Sequence, residues 1–216
     1  PSAAEILDPP SVAAGQTSHD HERAQIIEKT LASFGAPVHV VEVQRGPTVT
    51  QFGVEPDFIE TRNGKTRVRV GRIASLVDDL ALALAAQRIR IEAPVPGHSY
   101  VGIEVPNEEI SRVALLEVLQ SDSFHKLRSP LRLALGKDVS GKSIAADLTA
   151  MPHLLIAGTT GSGKSVCVNA ILSSLLLSNT PVDLRLVLVD PKRVELTGYN
   201  GIPHLLAPVV VDPERV

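Results

Sequence analysis

The sequence predicts an α/β fold in which an incomplete parallel sheet follows a smaller α+β unit. Three observations predict it. From His153 onward the chain reads as strand, loop, helix and strand, the series that builds a parallel sheet. The loop of that series is the glycine-rich run Gly158–Ser165, placed between an apolar strand and an apolar helix. Before about residue 125, short strand-like runs mix instead with two amphipathic helical stripes.

The length of 216 residues suits one or two cores. Hydrophobic residues make up 44% and aromatic ones only 3%, with no Trp, so Val, Leu, Ile and Ala must fill those cores. No apolar run reaches the roughly 18–20 residues that span a bilayer; the longest, Ala170–Leu177, is broken by Ser173 and Ser174. No basic-then-apolar start reads as a signal peptide. A lone cysteine, Cys167, excludes an internal disulfide and fits a reducing interior. The formal charge of −3 gives no general attraction to nucleic acid, so any such contact must come from a local patch. The seven His and one Cys show no metal-ligand spacing.

Residues 1–20, rich in Pro, Ser, Ala and Gln, predict a disordered tail or linker. Asp20 is then expected to cap a helix whose buried face carries Ala24, Ile27, Leu31 and Phe34, with Gly35 closing it. Strands are expected at Val38–Val43 and Thr48–Val54, joined by a turn at Arg45-Gly46-Pro47. Lys65–Val70 alternates, with Lys65, Arg67 and Arg69 on one face. Ile73, Leu76, Val77, Leu80 and Leu84 form one stripe of a second helix, with Asp78 and Asp79 off it. Strands at Arg88–Ile91 and Tyr100–Val105 and a helix at Arg112–Leu119 complete the first unit, and Ser121–Pro130 reads as a boundary. The second unit opens with strands Leu131–Leu135 and Ser143–Ala146. Strand Leu154–Ala157, helix Lys164–Leu177 and strand Leu184–Val189 follow. Pro1 in place of Met, and a helix-start signal at Asp212–Arg215, lead us to expect that both ends are cut.

Gly158-Thr159-Thr160-Gly161-Ser162-Gly163-Lys164-Ser165 matches G-x-x-x-x-G-K-[ST] at every fixed position. Its glycines let the loop take positive φ and turn backbone N–H groups inward around phosphates. The helix that starts there adds the positive end of its dipole. Lys164 is placed to reach the β- and γ-phosphates, and the Ser165 hydroxyl to ligate Mg2+. By average residue frequencies the pattern arises by chance in roughly one chain in a hundred of this length. Its setting between a strand and a helix makes it far more specific. An ATPase also needs a carboxylate in the magnesium shell and one that orients water. Leu186–Val189 followed by Asp190 has the form of such a strand, yet Pro191 comes next. Asp190 is therefore either the magnesium carboxylate or the end of a neighbouring strand, with the acidic pair beyond Val216.

Several segments in order resemble the FtsK/SpoIIIE family of DNA translocases: Gly136-Lys137-Asp138, Met151–Gly158, the loop itself, Asp190-Pro191-Lys192 with Glu195-Leu196, and Tyr199–Leu206. So do Gly46-Pro47, Ile73–Leu84, Arg88-Ile89, Pro96-Gly97 and Tyr100–Asn107. The resemblance implies a smaller α domain over 21–125 and the first part of a RecA-like P-loop NTPase domain over 130–216, truncated at its end. It further implies ATP and Mg2+ as cofactors, with Lys164 catalytic, Gly158–Ser165 (Gly158, Thr159, Thr160, Gly161, Ser162, Gly163, Lys164, Ser165) cradling the nucleotide, and Ser165 on the metal. Double-stranded DNA and further copies of the chain in a hexameric ring are the implied partners, in chromosome segregation during division or sporulation. Placement at the cytoplasmic face of the cell membrane, through an anchor absent from this sequence, is also implied. Because the family's acidic hydrolysis motif lies beyond Val216, the resemblance implies nucleotide binding without turnover for these residues. Cys167 departs from the small residue the family pattern suggests; packing is the plain reading of it.

Other candidates have bland readings beside the functional ones. Lys65, Arg67 and Arg69, flanked by Arg62 and Arg72, either touch DNA phosphates or form the charged outer face of an edge strand. Arg88 and Arg90 divide the same way. Lys192, Arg193 and Glu195 either couple nucleotide state to a neighbouring subunit or lie on a surface loop. The alternatives to a DNA motor are a ring ATPase of secretion or conjugation and a nucleotide-binding assembly module without turnover. A small-molecule kinase would need an Arg-rich lid that Ala170–Val216 does not contain.

Overall fold

The computed structural model describes residues 3–9, 17–61, 64–212 and 214. The chain divides into two compact units, one of Pro10–Val113 with Lys137–Lys142, the other of Pro1–Pro9, Ala114–Gly136 and Ser143–Val216.

In the unit built on Pro10–Val113, α2 (Thr17–Ser33) precedes strands β1 (Val38–Arg45) and β2 (Val49–Pro56). The hairpin β3 (Phe58–Thr61) and β4 (Gly64–Arg67), helices α3 (Val70–Ala74) and α4 (Val77–Ala83), and strands β5 (Arg90–Glu92) and β6 (Val101–Pro106) follow. The main sheet runs β1-β2-β6-β5, all neighbours antiparallel. Ile27 and Leu31 of α2 meet Phe52, Val54, Ile103, Val105, Ile73 and Leu80 in one core, all of them fully excluded from solvent. Removing that apolar surface from water, at about 25 cal/mol per Å², is the main force holding the unit together. On the other face, Gly53 pairs directly with Gly102. A Cβ on Gly53 would lie 2.8 Å from the Tyr100 ring, and one on Gly102 would lie 2.7 Å from Val95 Cγ2. The glycine pair lets Tyr100 and Val95 lie flat on the sheet.

Several expected elements shift. One helical turn, α1 (Ala3–Ile6), lies inside the segment expected to be a tail, and α2 opens at Thr17. Asp20 is not a cap: its carboxylate takes two hydrogen bonds from Arg45 Nη1, at 2.9 and 3.0 Å, and is buried. Gly35 does end the helix, at φ +69°, with the N–H of Ala36 on the Leu31 carbonyl. Phe34 falls beyond the last helical residue and is 46% exposed, so it leaves the buried stripe. The stripe from Ile73 to Leu84 is broken into α3 and α4 at Ser75-Leu76. The alternating basic strand ends at Arg67, because Val70 already starts α3.

In the other unit α5 (Leu115–Leu119) and α6 (Asp122–His125) pack on β8 (Ser143–Asp147), which pairs with β7 (Arg132–Lys137). Ser121 caps α6 by accepting from the Phe124 N–H, and the Arg132 guanidinium lies 4.7 Å from the Phe124 ring centre. Helix α7 (Lys164–Ser178) is tied to β7 by Ser174, whose hydroxyl accepts from the Ala134 N–H at 3.3 Å and donates to the Ile171 carbonyl at 2.8 Å. Leu172 of α7 packs on Leu188 and Val209.

Among the described residues, the parallel sheet expected here is present only as two parallel bridges, Leu186 to Leu205 and Val189 to Val210. The expected strand Leu154–Ala157 joins no ladder, and Leu155 is 89% exposed. A strand of a parallel sheet needs partners along its edges and cover on both faces. Among the described residues this run has neither, so its apolar content alone makes no strand. The helix-start signal at Asp212 runs into Pro213 and Arg215, which lie outside the described residues.

Candidate functional site

The glycine loop occupies the turn between the unpaired run 154–157 and α7. Gly161 and Gly163 sit at φ +81° and +91°, where residues with a Cβ are strained. A Cβ on Gly158 would require the Ser162 hydroxyl to rotate away and would still lie 3.2 Å from Ser162 Cβ. Gly163 is the N-cap residue of the 15-residue α7; no side chain caps it, and no acidic residue stands in the first turn. The helix therefore presents its first backbone N–H groups and the positive end of its dipole to whatever fills the loop. Residues 158–163 are exposed.

The two side chains that open α7 are both engaged. Lys164 Nζ donates to the Gly158 and Thr159 carbonyls, each at 2.7 Å. The ammonium thus folds back over the loop, on acceptors that phosphate oxygens can replace. Ser165 Oγ donates a short hydrogen bond to Glu195 Oε1. Glu195 belongs to the turn after Asp190, and that turn is organised by Asp190 itself. Asp190 Oδ2 accepts from the N–H of Glu195 at 3.0 Å and of Leu196 at 2.9 Å. These backbone donors, Leu196 first and then Glu195, with help from Arg193 and Lys192, hold the Asp190 carboxyl below its usual range against the opposing effect of burial. Tyr199 Oη closes the other end of the turn on Asn169 Oδ1 of α7, at 2.8 Å.

Lys164 thus bonds to the loop's own carbonyls, and Ser165 to the turn after Asp190. Asp190 ends the bridged segment 186–189, and its Oδ2 serves the following turn. Glu195 is the carboxylate that reaches the loop. Its signal in the sequence is its place five residues after Asp190, across a turn begun by Pro191. As donors for magnesium the site offers the Ser165 hydroxyl with a carboxylate behind it, hard oxygen chemistry that suits this ion when phosphates supply the rest. Among the described residues no group of three or more His, Cys, Asp or Glu forms a metal cage.

Three of the basic candidates, Arg67, Arg72 and Arg90, make contacts within the chain. Arg67 Nε donates to the Pro56 carbonyl at 2.9 Å and Arg67 Nη2 lies 3.8 Å from Glu55. Arg90 lies 3.4 Å from Glu104, and Arg72 donates to the Phe34 carbonyl. Arg62 is outside the described residues. No helix among the described residues is long and apolar enough to cross a membrane.

Two family models match, the FtsK alpha domain over residues 1–107 and the FtsK/SpoIIIE family over residues 114–216. The DNA translocase FtsK of Caldanaerobacter subterraneus is 53% identical over 194 residues, covering 90% of this chain and 26% of that protein. The DNA translocase SpoIIIE of Bacillus subtilis is 51% identical over 195 residues, covering 90% of this chain and 24% of its own length. The chain thus spans about a quarter of the length of these relatives. A solved structure of the pCW3 conjugation coupling protein TcpA, in a monomer form with ATPγS, covers 90% of this chain and 51% of its own at 18% identity and a TM-score of 0.34. The two matched segments account for nearly all of the sequence, and the chain belongs to the FtsK/SpoIIIE family.

Proposed function

We propose that these residues bind ATP with Mg2+ at Gly158–Ser165 and form part of a motor that moves double-stranded DNA during chromosome segregation. The observation that carries the reading is the loop itself. Two left-handed glycines turn the backbone into an uncapped helix, and Lys164 Nζ lies over the loop on the Gly158 and Thr159 carbonyls. In the bound state Lys164 exchanges those carbonyls for the β- and γ-phosphates, and the α7 N–H groups take the phosphate oxygens. Ser165 would hold the metal, which when bound would supply charge neutralisation to the phosphates. The unit on Pro10–Val113 is read as an α domain and the unit on Ala114–Gly136 and Ser143–Val216 as the first part of a RecA-like domain, in a protein that assembles as a hexameric ring beside the cytoplasmic face of the membrane. Hydrolysis is read as an activity of the longer protein, since this chain spans about a quarter of the length of its relatives.

Titration calorimetry tests the binding step. The chain should bind Mg-ATP, and Lys164→Ala should weaken that binding by roughly 10- to 100-fold, the worth of a charge-assisted contact. Equal affinity in the variant would remove the assignment. For the motor step, phosphate release by the full-length protein should rise on adding duplex DNA; no response would favour a secretion-type ring ATPase.

A further inference from the structure

Resting on that reading, we infer that Glu195 is a positioning residue for the metal at this site, acting through the Ser165 hydroxyl. Serine carries one proton to donate and two lone pairs to offer. A carboxylate without a proton can only accept, so the bond from Ser165 Oγ to Glu195 Oε1 fixes where the hydroxyl proton goes. With the proton committed there, both lone pairs of Oγ are left for a cation, and the negative partner makes the oxygen a better donor to it. This is the arrangement by which outer carboxylates orient and strengthen metal ligands. Glu195 is exposed, so its reach needs a reason. The reason lies in the backbone: the N–H of Glu195 and that of Leu196 are both fastened to Asp190 Oδ2, and Asp190 is in turn bonded through its N–H to the Val210 carbonyl at 2.8 Å. Leu196 and Tyr199 pack into the cluster of Leu172, Leu188 and Val209 just beyond. The carboxylate is thus presented from a turn anchored at both ends, thirty residues along the chain from the serine it meets. The sequence 190–196 therefore matters to the metal without supplying a ligand. Asp190, the carboxylate the strand pattern points to, builds the turn, and Glu195 makes the contact.

The test separates this inference from nucleotide binding itself. ATP affinity of the 216-residue chain is measured by calorimetry in EDTA and again in excess Mg2+, and the ratio gives the gain due to magnesium. Glu195→Gln and Glu195→Ala should keep the affinity in EDTA within about twofold while lowering the magnesium gain about 10-fold, the usual cost of losing such a partner. Ser165→Ala should lose the same gain, and the double variant Ser165→Ala with Glu195→Gln should lose no more than Ser165→Ala alone, because both act through one oxygen. An undiminished gain in either Glu195 variant overturns the inference, as do additive losses in the double variant. A drop in EDTA affinity as large as the drop in Mg2+ also overturns it, since the role would then be that of holding the loop. If the unmodified chain binds ATP in neither buffer, the nucleotide reading itself fails.

Discussion

Tyr100 illustrates how a single side chain takes its chemistry from the backbone beneath it. Its ring lies on Gly53, across from Gly102, and stacks at 4.7 Å with His98. Burial, and then its hydrogen bond to Glu42, push the phenol up to about 12 from the ordinary value near 10. A group whose folded value is raised stabilises the fold fully below the unfolded value, and that contribution is lost as pH rises through the folded one. Stability of the unit should therefore hold to about pH 10 and decline between there and about 12. With Tyr199→Phe leaving Tyr100 as the sole tyrosine, ultraviolet titration should find its midpoint near 12, and Glu42→Gln should lower it. A midpoint at the ordinary tyrosine value would contradict this environment. Nothing in the residue string announces the arrangement. Gly53 and Gly102 read as weak points of two strands until the register places them opposite each other.

Among the elements, α7 is the most legible, because the motif itself dictates where it starts: two glycines, then a lysine and a serine, opening an apolar helix from Lys164. The stripe from Ile73 to Leu84 is legible as helical but not as broken, since a turn at Ser75-Leu76 leaves Ile73 and Leu80 on the buried side either way. Strand Leu154–Ala157 misleads for a different reason. Apolar residues flanked by turns satisfy the pattern of a strand, but the strand exists only through partners, and partners are invisible in local sequence. Ser174 shows the reverse: as an interruption of an apolar run it looks like a flaw, whereas it is fully buried and joins α7 to β7. Ser174→Ala should leave the Ala134 N–H without this acceptor and destabilise that unit by about 1–3 kcal/mol, read from its denaturant midpoint. Ser174→Thr, which keeps the hydroxyl, should recover part of the loss if the bond matters more than the space. No recovery would assign the cost to packing.

For the molecule as a whole, two units divide the labour. The unit on Pro10–Val113 has a four-stranded sheet and a closed core; its strands and helical stripes were legible as segments, the order β1-β2-β6-β5 was not. The other carries the glycine loop on elements that are only partly paired. The loop was legible because its motif states residue identities at fixed spacing. That unit's sheet was not, because parallel pairing joins distant segments such as 186–189 and 205–210. Glu195 shares that difficulty: its contact with Ser165 depends on a turn held by Asp190 rather than on any local pattern. On the proposed reading, the exposed glycine loop and the first turn of α7 close around the phosphates of ATP. Hydrogen exchange at the backbone amides of Gly161 to Ser165, compared with and without Mg-ATP, measures it most directly. Those amides should exchange many-fold more slowly with nucleotide bound, while amides of the Pro10–Val113 sheet stay unchanged; equal rates at Gly161–Ser165 under saturating Mg-ATP would contradict the claim.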